Sequence, residues 1–325
     1  MREQALWYVA AGRAELRETE AAPAAHGEVR VRALFGAVSR GTERLVFAGR
    51  VPKSEFERMR APFMGGSFPF PVKYGYATVG RLDNGTAEDQ LVFALHPHQT
   101  LFTVPAHAAH PIPAAVPARR AVLAANMETA LNAVWDAAPG PADRIAIVGG
   151  GVVGSLCAWL CAKLPGAEVT LVDIDPRRAE IAAAFGVAFA LPFDAASDCD
   201  VVIHASATAA GLATALRVAG EEAHVIELSW YGSAQVAAPL GEAFHSRRLR
   251  LLSSQVGQVA ASHRPRWTHR RRLAAALGLL TDDALDALIA PAVDFHDLPT
   301  LLPKILATPG DVLCPLIRYP SAKAS

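Results

Sequence analysis

Cysteine is scarce in this chain. Cys157, Cys161, Cys199 and Cys314 are the four among 325 residues, too few and too scattered for a disulfide framework or a four-thiolate zinc site. Charge is sparse as well: only 19% of residues are Asp, Glu, Lys or Arg, and 31 cationic side chains match 31 anionic ones. With no positive surplus to hold a polyanion, nucleic acid is excluded as a partner. No apolar run reaches the roughly 18 residues of a membrane span, and Met1-Arg2-Glu3-Gln4 puts an acid where a secretory leader would begin its apolar core. The expectation is a soluble, cytoplasmic protein with reduced thiols and no membrane partner. The 52% apolar content is too high for disorder, and the length exceeds the usual single core, which predicts two domains.

The first hundred residues read as short strands, over 5–9, 28–34, 90–95 and 101–104, with the alternation of Glu28-Val29-Arg30-Val31-Arg32 the clearest. Pro105, Pro111, Pro113 and Pro117 then interrupt regular structure before an Ala-rich helical pattern over 119–135. Beyond Gly140 apolar strands (144–148, 168–173, 200–205, 224–228, 249–253) alternate with helical segments, which predicts an α/β unit with a parallel sheet covered on both faces. The tail holds an amphipathic helix and a strand over 313–319 with no sheet of its own. The division is therefore 1–118, 119–261, and a C-terminal 262–325 that returns to the first domain.

Ile145-Ala146-Ile147-Val148 runs directly into Gly149-Gly150-Gly151-Val152-Val153-Gly154, so Gly-x-Gly-x-x-Gly lies between a buried strand and a helix start. Gly149 permits the tight turn, Gly151 lets backbone approach a pyrophosphate, and Gly154 lets helix and strand pack closely. The N–H groups of the first turn, at Val152 and Val153, are free for the anion. The next strand closes on Asp173, at the spacing where an acid accepts hydrogen bonds from the adenosine ribose. A 2′-phosphate beside that carboxylate would meet repulsion on the order of 4 kcal/mol, so NAD is favoured over NADP. Arg177 and Arg178 would soften this preference if they pair with a phosphate; alternatively they are first-turn residues of the next helix.

Phe35-Gly36-Ala37-Val38-Ser39-Arg40-Gly41-Thr42-Glu43 and Pro71-Val72-Lys73-Tyr74-Gly75-Tyr76-Ala77-Thr78-Val79-Gly80, together with this order of units, resemble the medium-chain dehydrogenase/reductase superfamily over essentially the whole chain. The first stretch is similar to the loop that carries a catalytic-zinc cysteine, the second to the Gly-His-Glu segment. Ser39 stands where the cysteine would be, Tyr76 and Ala77 replace His and Glu, and the third ligand position falls near Ala125. The four-cysteine lobe is absent between Gly80 and Pro105, so no zinc of the usual kind is expected. Ser39-Arg40-Gly41-Thr42-Glu43 is also similar to a Ser-x-Gly-Thr-Glu subgroup that includes bacteriochlorophyllide a dehydrogenase, from which residues 53–66 depart. The resemblance implies a doubly wound Rossmann sheet plus a GroES-like β-rich catalytic domain, a homodimer, and hydride transfer between NAD(H) and an alcohol or ketone in the interdomain cleft.

Without zinc another group must meet the charge on the substrate oxygen. By the family pattern Tyr76 faces the nicotinamide, as a hydrogen-bond donor, as a general acid if its pKa is lowered, or simply as a pocket-lining residue; Ser39 could bond the same oxygen or its own backbone. Glu43 and Glu128 could relay a proton; equally, Glu43 could cap a helix and Glu128 pair with an arginine. Lys73 is a further proton-donor candidate. Arg40 would reach the cofactor pyrophosphate, while Ser206 and Ser229, at the carboxyl edge of the sheet, would line the nicotinamide side with Gln255. His96-Pro97-His98 is half a metal site and lacks a third ligand. The basic run from His263 to Arg272 would favour an anionic group on a small-molecule substrate if it overhangs the cleft. Two other functions fit: an NADPH-dependent enone or quinone reductase, and a dinucleotide-binding protein without turnover.

Overall fold

The computed structural model describes residues 3–20, 22–83, 90–307 and 312–320. It divides into one unit made of residues 1–125 with 277–325 and a second made of 126–276.

In the first unit the alternating segment becomes the strand Glu28–Ala37, the hub of a seven-stranded sheet. Residues 28–32 pair antiparallel with Leu101–Pro105, residues 31–36 with Thr78–Leu82, and residues 35–37 with the C-terminal strand Cys314–Arg318. Val31, Val92, Ala94, Phe102 and Val104 fill one core of this unit. The C-terminal strand carries Leu316 and Ile317 fully buried; five residues so apolar are stable only when a sheet receives them. A smaller sheet runs in the order Arg13–Glu18, Gln4–Ala10, Val72–Lys73, Gly65–Gly66.

The second unit holds six parallel strands in the order Ala188–Ala190, Glu168–Val172, Arg144–Val148, Cys199–His204, Ala219–Glu227, Arg250–Ser253. The chain winds outward from Arg144–Val148 and then crosses to its other side, so the order reverses between that strand and Cys199–His204. Ligands of doubly wound sheets lie outside the carboxyl ends of the strands at such a switch point. Ile145, Ala146, Ile147 and Val148 are all buried, as expected of a central strand covered on both faces. Arg250–Ser253 forms one edge and is exposed along its length.

The structure departs from the sequence reading in three places. The helical pattern over 119–135 is two helices, Ala118–Ala121 and Ala124–Ala137, because the Leu123 N–H turns back to the Arg120 carbonyl in a tighter, three-residue bond. The strands Thr78–Leu82 and Ile289–Asp294 were not anticipated. Arg272, read as part of the C-terminal return, belongs to the 126–276 unit, where its guanidinium is buried on Glu128. No helix among the described residues is long and apolar enough to cross a membrane.

Candidate active site

The glycine turn of the second unit is shaped by contacts that exclude side chains. Gly149 has φ +112°, and a Cβ there would lie 2.6 Å from the Ser206 nitrogen. At Gly154 a Cβ would lie 1.9 Å from the Gly149 carbonyl oxygen. Gly151, the N-cap of the helix Val152–Cys161, has nothing within 4 Å of its Cβ position. That opening in front of the first-turn N–H groups of Val152 and Val153 fits a pyrophosphate. Asp173 Oδ2 accepts the Gly150 N–H at 2.6 Å, and its Oδ1 accepts the Asp175 N–H at 2.8 Å. Each carboxylate oxygen keeps lone-pair capacity for a ribose hydroxyl. Arg178 is buried with its stem against Gly150 and its guanidinium 3.4 Å from Asp175. Arg177 forks onto the same acid. The Arg177 hydrogen bonds, aided by the charges of both arginines, outweigh the opposing effect of burial and hold the Asp175 carboxyl below its usual range.

Ser206 and Ser229 lie at the carboxyl edge, on the loops after Cys199–His204 and Ala219–Glu227. Ser206 Oγ is 2.6 Å from His204 Nε2, and Ser229 Oγ accepts the Ala207 N–H at 3.0 Å. Glu227 joins them, with Oε2 2.7 Å from His204 Nδ1 and Oε1 accepting the Ser229 N–H at 2.7 Å. Burial pushes the Glu227 carboxyl up, but His204 and the Ser229 bonds outweigh it and leave its pKa lowered. The sequence reading passed over His204 and Glu227, since a histidine and an acid ending two strands carry no local signature. Gln255 turns its Oε1 onto the Gly257 N–H.

The first unit brings Tyr76, Ser39 and Glu43 together. The Tyr76 hydroxyl is hydrogen-bonded to the side chains of Ser39 and Thr42, and burial raises its pKa to about 12 despite those bonds. A lowered tyrosine pKa would favour general acid catalysis; the structure raises it instead, because burial opposes the phenolate and the nearby Glu43 adds to the effect. Glu43 is fully buried on the helix Arg40–Phe47. Its Oε1 accepts the N–H of the N-cap residue Ser39 at 2.7 Å, and its Oε2 lies 2.5 Å from the Tyr8 hydroxyl and 3.0 Å from His98 Nε2. Glu43 therefore caps its helix and anchors a buried network; of Tyr8, His98 and Glu43, only the last had drawn notice as a proton carrier.

Other candidates are engaged elsewhere. Glu128 receives Arg272 Nε at 3.0 Å within the second unit; burial raises its pKa and Arg272 opposes the rise. Arg40, expected at the pyrophosphate, donates instead to the carbonyls of Ile305 at 3.1 Å and Val312 at 2.6 Å within its own unit. Lys73 reaches Gln99 Oε1 at 2.6 Å and has its pKa lowered by burial. His96 stacks on Phe102, and His98 belongs to the Glu43 network. In the basic run, Arg264 bonds the Val259 carbonyl and Arg271 lies over the Trp267 ring.

Ser39, Tyr76, Ala77 and Ala125 do not make a zinc donor set. Among the described residues no group of three His, Cys, Asp or Glu is placed to hold a metal ion. The glycine turn and Asp173, by contrast, fit a dinucleotide.

Residues 147–179 match the NAD(P)-binding Rossmann-like domain family. Compared by sequence with curated proteins, the chain matches none. Solved structures resemble it over nearly its full length. A candidate zinc-binding dehydrogenase of Sinorhizobium meliloti 1021 bound to NADP superposes with a TM-score of 0.77 at 16% identity, covering 98% of this chain and 99% of that one. An alcohol dehydrogenase (rspB) of Escherichia coli CFT073 complexed with NADH gives 0.75 at 16% identity, over 98% and 99%. A thermostable alcohol dehydrogenase of Pyrobaculum aerophilum gives 0.75 at 19% identity, over 97% and 99%. The chain therefore has the fold of these alcohol dehydrogenases, a parallel Rossmann sheet and a separate β-rich unit, with an NAD(P)-binding Rossmann-like segment at its glycine turn.

Proposed function

We propose that this protein is a zinc-independent oxidoreductase that transfers a hydride between NAD(H) and a small alcohol or ketone. The observation that carries the reading is the open Gly151 cradle with Asp173 hydrogen-bonded to Gly150 beside it. Asp173 offers acceptors to a ribose diol and repels a 2′-phosphate, which favours NAD. Bound NADH supplies the hydride.

The substrate oxygen falls to Tyr76. Its raised pKa keeps the hydroxyl protonated throughout the physiological range, suited to donating a hydrogen bond to a carbonyl and a proton to the stronger base, an alkoxide. Ser39 and Thr42 then stabilise the phenolate that remains, while the nearby Glu43 charge favours prompt reprotonation. Ser206 and Ser229 stand as the nicotinamide-side residues. The exposed edge strand Arg250–Ser253, with Leu252 44% exposed, suits pairing with a second copy in a homodimer. An NADPH-dependent enone or quinone reductase is the second reading, favoured by Arg177, whose side chain is more than half exposed beside Asp175.

Fluorescence titration with NADH and NADPH, followed by absorbance at roughly 340 nm with a panel of secondary alcohols, ketones and enones, tests the reading. Tight NADH binding with ketone-dependent oxidation supports it. NADPH preference with enone turnover moves the second reading ahead, and dinucleotide binding without any turnover leaves a binding protein.

A further inference from the structure

We infer that Ser206, His204 and Glu227 form a nucleophilic triad within the second unit, a hydrolytic site for small carboxylic esters that needs no dinucleotide. Ser206 Oγ lies 2.6 Å from His204 Nε2, and His204 Nδ1 lies 2.7 Å from Glu227 Oε2. A nucleophile on a base, and the base on an orienting carboxylate, is the arrangement that activates a serine on several unrelated folds.

The hydrogen bonds select the working tautomer. Glu227 accepts the Ser229 N–H on Oε1 and the Tyr231 hydroxyl on Oε2, contacts that hold it as a carboxylate. A carboxylate only accepts, so the proton of His204 sits on Nδ1 and Nε2 is left to accept from Ser206. The Thr208 hydroxyl, 3.0 Å from Ser206 Oγ, takes the Gly211 N–H on its own oxygen. It is thereby oriented to donate to Ser206 Oγ, whose single proton then points to the imidazole.

The backbone presents this serine as a nucleophile. Ser206 occupies the tight connection between the strand Cys199–His204 and the helix Ala209–Val218, and strand-to-helix turns of this kind hold the exposed serine of many hydrolases. Ala207 follows it with φ +54°, a left-handed conformation that residues with a side chain rarely adopt. His204 is fully buried whereas Ser206 is half-buried, so the base is shielded from water and the nucleophile is reachable by a short acyl group. A Cβ at Gly211 would lie 2.0 Å from Ser206 Oγ and 2.7 Å from His204 Nε2; the facing helix leaves room for the pair only because that residue has no side chain.

In the reaction Ser206 Oγ bonds to the ester carbonyl carbon as its proton passes to His204 Nε2. The tetrahedral adduct collapses, the carbon–oxygen bond to the alcohol breaks, and the alcohol leaves with the proton from His204. Water then attacks the acyl-serine, giving its proton to His204. The bond to Ser206 Oγ breaks, the serine regains that proton, and the carboxylic acid departs. Glu227 stays ionised throughout and acts as a positioning residue.

The test uses the full-length protein stripped of dinucleotide, with a fluorophosphonate as active-serine probe and p-nitrophenyl acetate as substrate. Peptide mass spectrometry should find the phosphonyl adduct on Ser206, and labelling should block ester hydrolysis. Ser206→Ala should abolish both. Glu227→Gln, which keeps a hydrogen-bonding group but permits the wrong tautomer, should slow labelling by roughly 10⁴-fold. The pH dependence of labelling should differ between the wild type and His204→Gln. Gly211→Ala, whose methyl would crowd Ser206 Oγ and His204 Nε2, should displace the pair and slow labelling although it changes none of the three triad residues. Absence of the adduct on Ser206 in the folded wild-type protein, or ester hydrolysis undiminished in Ser206→Ala, would overturn the proposal.

Discussion

Asp173 Oδ2 accepts the backbone N–H of Gly150 at 2.6 Å, which ties the acid ending one strand to the glycine turn ending its parallel neighbour. The same carboxylate thus holds the turn and, under the proposed cofactor reading, would set the charge at the ribose position. Asn at this site retains an oxygen acceptor and loses the charge. Asp173→Asn should keep the melting temperature within a few degrees and raise NADPH affinity about tenfold relative to NADH; Asp173→Ala should shift the preference similarly and also loosen the turn. Titrations of both variants, with melting curves, separate the two roles. An unchanged cofactor preference in both would remove Asp173 from the ribose site.

Two of the fingerprint glycines, Gly151 and Gly154, should respond differently to one added methyl. At Gly154 the new Cβ would meet the Gly149 carbonyl at 1.9 Å, whereas at Gly151 it would meet nothing within 4 Å. Gly154→Ala is therefore expected to destabilise the second unit by at least about 2 kcal/mol. Gly151→Ala should leave stability within about 0.5 kcal/mol yet weaken NADH binding tenfold or more, because its methyl occupies the approach to the pyrophosphate. Chemical denaturation and NADH fluorescence on the pair give the comparison.

Tyr76, the proposed proton donor, also bears on alkaline stability. Burial raises its pKa from 10.0 to about 12, so between those values the native hydroxyl keeps a proton that the unfolded chain releases. The stability it contributes, of order 2 kcal/mol, is complete below pH 10 and is lost as pH rises through about 12. Tyr8, raised by burial and by Glu43, acts in the same direction. Tyr76→Phe should flatten the fall in melting temperature between pH 10 and 12 and reduce kcat about 10²-fold. Equal slopes in the variant and the wild type would refute the assignment.

His96 makes the opposite contribution at acid pH. It stacks on Phe102 with centroids 3.7 Å apart, and burial lowers its pKa from 6.5 to about 3. The native ring stays neutral while the unfolded ring takes a proton. Stability is thus complete above pH 6.5 and declines as pH falls toward 3, by at most about 1.4 kcal/mol per pH unit. His96→Phe keeps a ring on Phe102 and should make denaturation midpoints at pH 7 and pH 4.5 differ less than in the wild type.

The residues legible in sequence were those whose requirement is local. An apolar run, three glycines and a helix start are contiguous from Arg144 to Cys161, and steric limits at Gly149 and Gly154 operate over a few residues whatever surrounds them. Ser39, Tyr76 and Glu43 were reached through resemblance rather than periodicity. Glu43 had two open readings in sequence, proton carrier or helix cap; its bond to the Ser39 N–H decided that it caps, through a contact four residues long.

What the sequence by itself determined is the dinucleotide turn and the parallel alternation around it. Tertiary structure alone decided the partners. It turned Arg40 to the carbonyls of Ile305 and Val312, set Glu128 against Arg272, gathered Tyr8 and His98 onto Glu43, and joined Ser206 through His204 to Glu227. The physical reason is that a buried polar group must find a partner once water is removed. Which partner it finds depends on chain segments brought together by folding, and no local pattern of residues records that choice.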